Sequence, residues 1–163
     1  MKRPRKLRSR KAGLPPGSLV HIGDVKTADP RLSILDYGPD GLDEFSVVDA
    51  TALQSYARRH ASLWVNFYGV HQPEMVATIG KIFCLHPLVQ EDILNTDQRQ
   101  KIDDYADYLY VVLHRYELGA TLRTLTQDQI SVIIGRDFLL TFQEQRSNTF
   151  EPVRQRLRAD RGN

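Results

Sequence analysis

The stretch Tyr108-Leu109-Tyr110-Val111-Val112-Leu113-His114-Arg115-Tyr116 and the stretch from Leu122 to Ile134 are rich in β-branched, aromatic and leucine residues, with Gly119-Ala120 between them. Such side chains fit a pleated, half-buried surface, and a glycine at the junction lets the chain reverse, so the spacing predicts a hairpin. Gly135-Arg136-Asp137 supplies a second reversal, and Phe138-Leu139-Leu140-Thr141-Phe142 a further strand. Three successive antiparallel strands are therefore expected in the second half of the chain.

Working outward, Leu63-Trp64-Val65-Asn66-Phe67 is a near-continuous apolar run, as in a central strand covered on both faces. Gly69 and Pro73 then punctuate the chain before Met75, Val76, Ile79, Ile82 and Phe83 recur at helical spacing. His86-Pro87 opens another helix, over about 87–95, because proline is favoured at the first helical position; Leu88, Val89, Ile93 and Leu94 form its apolar side. Further back, Leu19-Val20-His21-Ile22 reads as a short strand. Arg31–Tyr37 reads as a longer one closed by the turn Gly38-Pro39-Asp40-Gly41, and Phe45 and Val47 mark a third. Asp49 is placed to cap a first helix over about 50–59, where Leu53, Tyr56 and Ala57 follow the i, i+3, i+4 pattern. At the other end, Thr149 can cap a last helix with Phe150, Val153 and Leu157 on one face and Pro152 tolerated in its first turn.

Elements in this order, without strict strand-helix-strand repetition, predict an α+β (α/β) fold. Its core is a mixed, largely antiparallel sheet covered by helices on both faces. With 163 residues, 41% hydrophobic and 26% charged, a single domain over 13–163 is expected behind a disordered basic tail, 1–12. Seven of the 22 Lys and Arg lie in residues 1–11 without an acid, so the remainder sets 15 bases against 20 acids, net −5. An acidic body argues against nucleic acid as a partner, because phosphate contacts need a basic folded face. No run approaches the roughly 20 apolar residues of a membrane helix, and no apolar segment follows Lys11 as in a secretory signal. The lone cysteine, Cys84, cannot form an internal disulfide, which suits a reducing compartment.

Neither closely spaced glycines leading into a helix nor a Walker pattern is present, so nothing points to a nucleotide enzyme. Cys84 and His86 lie two apart, but in so apolar a stretch a buried cysteine beside a capping histidine is the expectation, not a catalytic pair. The five histidines, 21, 60, 71, 86 and 114, are scattered singly, against a structural zinc site. Trp64 and Phe142 are expected in the core and Asn66 at a strand-end turn. Hard cations such as magnesium need only one or two well-placed carboxylates, and Glu91 and Asp92, adjacent on the helix that begins at Pro87, are candidates. Asp97, Asp103, Asp104 and Asp107 follow, together with Arg99 and Lys101. Composition alone makes this stretch a solvated face in which Glu91 or Asp92 pairs with Arg99 or Lys101.

The run Phe83-Cys84-Leu85-His86-Pro87-Leu88-Val89-Gln90-Glu91-Asp92-Ile93-Leu94 resembles the F-x-L/I-H-P-L-x-x-E-D-I-L signature of the CorA-type divalent-cation transporters. Other segments agree in order: Gly13-Leu14-Pro15-Pro16-Gly17, Trp64-Val65-Asn66, Gly69-Val70-His71, Gln98-Arg99-Gln100-Lys101-Ile102-Asp103 and Leu140-Thr141-Phe142-Gln143-Glu144. Gln100 departs from the pattern, which places proline between the arginine and the lysine. Phe150 to Arg158 is similar to the segment that leads into the family's long stalk helix.

The resemblance implies a regulatory domain at the cytoplasmic face of the inner membrane, in a homopentamer that transports Mg2+ and in some members Co2+. It implies no catalysis and a regulatory, intersubunit Mg2+, with Asp92 the principal ligand and Glu91 a supporting one. The opposing carboxylates would lie on the stalk, and the membrane helices with their Gly-Met-Asn pore signature also lie outside these residues. Magnesium bridging acids of two protomers would screen their repulsion, and its loss would let like charges push the protomers apart. Two alternatives are the related zinc-transporting branch and a free-standing soluble binding module.

Overall fold

A computed structural model describes residues 13–119 and 124–159. The tail 1–12, Ala120 of the expected turn and Leu122 fall outside them. The strands are β1 (Arg31–Gly38), β2 (Gly41–Val47), β3 (Ser62–Tyr68), β4 (Lys101–Tyr105), β5 (Tyr108–Leu118), β6 (Leu125–Gly135) and β7 (Phe138–Gln143). Helices α1 (Pro73–Ile82) and α2 (Pro87–Leu94) stand between β3 and β4, and α3 (Glu151–Ala159) follows β7.

The strands form one mixed sheet in the order β2-β1-β3-β7-β6-β5-β4. Every pair is antiparallel except β3 with β7, whose register runs from Leu63 opposite Phe138 to Tyr68 opposite Gln143. That central position explains why β3 reads as an unbroken apolar run: Leu63, Trp64, Val65, Asn66 and Phe67 are all buried. Alternate residues divide between the two faces. Leu32, Ile34, Val65, Phe67, Ile133, Leu140 and Phe142 join Val76, Ile79, Val89 and Ile93 of α1 and α2 in the main core. On the opposite face Trp64 meets Phe150, which leads into α3, edge-on at 5.5 Å, with its Nε1 donating to Thr141 Oγ1 at 2.9 Å.

Helices thus cover both faces, as the sequence implies, but α3 sits over the β1-β3 half. Ile102, Leu109, Leu113 and Ile134, one face of β4, β5 and β6, remain exposed.

Several expectations are corrected. Leu19–Ile22 is not a strand: Ile22 makes one parallel bridge to Asn95 beyond α2, with no neighbouring ladder to extend it. The first helix shrinks from 50–59 to a 3-10 turn, Ala50–Leu53, with Asp49 accepting from Thr51 N as its cap. It stops there because the fully buried Asp36 carboxylate draws the following chain to itself. Asp36 accepts from Tyr56 Oη at 2.8 Å, Arg59 N at 2.6 Å and His60 N at 3.2 Å. The meander has four strands, since the acidic stretch after Arg99 contains β4. Asn66 lies within β3, buried, not at a turn; its Oδ1 accepts from Thr141 Oγ1 and Gln143 Nε2, each at 2.7 Å. Thr149 does not cap α3: its Oγ1 pairs with Ser147 Oγ, and Glu151 N donates to Asn148 O. Cys84 is exposed, not buried, because it is the left-handed residue (φ 53°) that ends α1.

Candidate functional site

The site is built on α2. His86 caps it as expected, its Nδ1 accepting from Leu88 N at 3.2 Å, and Pro87 supplies the first turn. Val89, Ile93 and Leu94 anchor the inner side in the core. Gln90 ties α2 to the end of α1 by donating Nε2 to Leu85 O at 2.8 Å, against the flat surface of Gly80. Glu91 and Asp92 are left on the outer side, each half-buried.

Neighbours on a helix point about 100° apart, and the two carboxylates have separate partners. Glu91 Oε2 accepts from the backbone N of Gly17 at 2.6 Å, in a lead-in segment whose positive φ of 84° favours glycine. Asp92 faces β4: Oδ1 accepts from Gln98 Nε2 at 2.6 Å and Oδ2 from Lys101 Nζ at 2.7 Å. The same ammonium reaches Asp103 Oδ2 at 2.6 Å and lies 5.3 Å over the Tyr110 ring. Burial alone would push Lys101 down, but its hydrogen bonds to Asp103 and Asp92 outweigh that and hold it above its usual value.

The structure therefore places the two expected ligands on one helix without joining them, and assembles Asp92 with Asp103 around Lys101. Lys101 was among the expected ion-pair partners, whereas Asp103 was missed as a partner because β4 was not recognised. The alternation Lys101, Asp103, Tyr105 on one face was the available signal. Arg99 makes no contact to either acid among the described residues.

Carboxylate oxygens are the donors a hard cation takes, so Asp92 and Asp103 fit part of a magnesium shell. Among the described residues no three His, Cys, Asp or Glu side chains gather closely enough to hold a metal ion by themselves. His21 and His71 approach with ring centroids 6.2 Å apart. No helix of the described residues is long and apolar enough to cross a membrane.

The model of the family described as "CorA-like Mg2+ transporter protein" matches residues 60–163. The cobalt/magnesium transport protein CorA of Thermotoga maritima is 35% identical over 154 residues, 94% of this chain and 44% of that protein. Among solved structures, the soluble domain of CorA from Methanocaldococcus jannaschii superposes with a TM-score of 0.54 at 12% identity, over 78% of this chain and 46% of that one. The ZntB cytoplasmic domain from Vibrio parahaemolyticus gives 0.58 at 11% identity, over 80% and 50%. At these identities the superpositions speak for a shared fold. The chain spans less than half the length of the Thermotoga maritima relative.

Proposed function

Because the chain belongs to the family of CorA-like Mg2+ transporter proteins, we propose that it is the cytoplasmic, Mg2+-sensing part of a divalent-cation transporter that carries Mg2+ and Co2+. The observation that carries this is the cation position already built beside Asp92, where the Lys101 ammonium bridges Asp92 and Asp103 at 2.7 and 2.6 Å. Two carboxylates so close favour a positive charge between them, and Lys101 supplies it within the chain. Divalent magnesium, when bound, adds a second unit of charge and lets Asp92 face carboxylates of another protomer in a homopentamer at the inner membrane. Asp92 is the principal ligand. Glu91 supports it by fixing α2 to Gly17.

The zinc-transporting branch is the second reading, favoured by the ZntB likeness in fold. The donor set around Asp92 weighs against it: oxygen ligands suit magnesium, whereas zinc prefers Cys and His.

The test is a titration of this chain with MgCl2, followed at the amide and side-chain NMR signals of Asp92, Lys101 and Asp103. Saturable shifts are expected at about millimolar concentration. Asp92→Asn should abolish them, and Lys101→Met should tighten binding about tenfold by removing the built-in competitor. Shifts unchanged in Asp92→Asn would sink the assignment, and ZnCl2 saturating the same signals at lower concentration would favour the zinc branch.

A further inference from the structure

On the sheet face opposite α1 and α2, a cavity of about 250 Å³ opens between α3 and the strands β1, β3 and β7. Its lining includes the buried polar residues Ser33, Asn66 and Gln143, together with Arg31, Arg146 and Arg154. A polar floor of this kind, in a sheet otherwise packed with apolar side chains, is costly unless its donors and acceptors are matched. The acceptor side is matched, since Asn66 Oδ1 takes protons from Thr141 and Gln143, but Asn66 Nδ2 has no partner among the described residues.

The charges are also unmatched. Both carboxylates at the cavity, Glu44 and Glu151, are held by Arg158, at 2.8 and 2.7 Å. Arg154, with a side chain 12% exposed, keeps a 2.6 Å bond to Ser33 Oγ, the face of Trp64 at 5.0 Å, and only a 3.5 Å share of Glu44. Burial pushes its guanidinium down, with Glu44 and Glu151 opposing. Arg31 is paired with the exposed Asp29 through NH2, while its Nε is buried without a hydrogen-bond partner. Arg146 makes no ion pair among the described residues.

We infer that this cavity is a binding site for a compact phosphate-bearing anion, held by Arg31, Arg146 and Arg154 over the Asn66 amide. Guanidinium groups match phosphate oxygens two at a time, and a dianion at the cavity supplies an acceptor for Asn66 Nδ2. The site lies across the sheet from Asp92, so an anion here and a cation there would report two different solutes to one domain.

Trp64 is the single tryptophan of the chain and lies against Arg154, so its emission reads the site directly. The experiment titrates the chain with inorganic phosphate, pyrophosphate and, separately, vesicles of anionic phospholipid, at near-physiological salt. Heat and Trp64 fluorescence are recorded together. Saturable changes with phosphate or pyrophosphate are expected, weakened at least tenfold in the Arg31→Gln/Arg146→Gln variant. Those two residues are exposed enough to leave the fold intact, which circular dichroism checks. A response to vesicles alone would name a lipid headgroup as the source of the same phosphate. No response to any of the three, or an undiminished response in the double variant, overturns the inference.

Discussion

Asp36 shows how one buried carboxylate can redirect a segment whose local pattern favours a helix. Tyr56 and Ala57 carry helical spacing with Leu53, yet three donors from Tyr56, Arg59 and His60 converge on Asp36 and hold the chain open. Burial, and then the hydrogen bond to Asp36, push the Tyr56 phenol up from 10.0 to about 12. A phenol whose pKa is higher in the folded state than in the unfolded one stabilises the fold while it is protonated. Its contribution is therefore whole below pH 10 and is lost as pH rises through about 12. Tyr56→Phe should cost about 1 kcal/mol at neutral pH, the worth of the lost hydrogen bond. It should also remove part of the alkaline loss of stability. Urea unfolding across that alkaline window compares the two proteins, and parallel curves would contradict the assignment. No pattern of residue types announces such a contact, because Asp36 and His60 meet only through the fold.

At the scale of elements, the α1-α2 corner makes a prediction about close approach. A Cβ on Gly80 would stand 2.3 Å from Cδ of Gln90, whose amide is committed to Leu85 O. Gly80→Ala should destabilise by about 1 kcal/mol, since overpacking and the displaced hydrogen bond exceed the helical preference for alanine. In a Gln90→Ala background the sign should reverse, because the space is then free and only the helical preference remains. Thermal denaturation of the four proteins of this cycle measures the coupling, and simple additivity would refute it. The elements legible in the sequence were those with strong periodicity or punctuation: β3 by its apolar run, α2 by His86-Pro87, and β5 to β7 by their residue types and glycines. Those that failed depend on pairings that their own residue types do not announce. Leu19–Ile22 has strand-forming residues but no ladder to join, and Lys101–Tyr105 looks solvated until Tyr108–Val112 pairs with it. The same dependence governed the site. The pairing of Asp92 with Lys101 was legible, whereas the companionship of Asp92 with Asp103 required β4.

For the whole molecule, the sheet is two antiparallel units, β2-β1-β3 and β4-β5-β6-β7, joined by the single parallel pair β3-β7. Within each unit most ladders join strands near in sequence, whereas across the seam Asn66 and Thr141 bond over a separation of 75 residues. Local hairpins close at a lower entropic cost than such a contact, so the second unit should be formed in the folding transition state and the seam afterwards. Ile133→Val, in β6, is then expected to slow folding, and Val65→Ala, in β3, mainly to speed unfolding. Stopped-flow chevrons of the two variants distinguish this from the reverse order.

The seam also sets a schedule for synthesis. A ribosome adding about 5–20 residues per second exposes β3 for roughly 4–15 s before its partner exists. Throughout that interval β1 can satisfy one edge of β3, while the other displays apolar side chains and open backbone groups to every nascent chain nearby. A strand buried along most of its length in the finished domain is thus open to mispairing while the chain is being made.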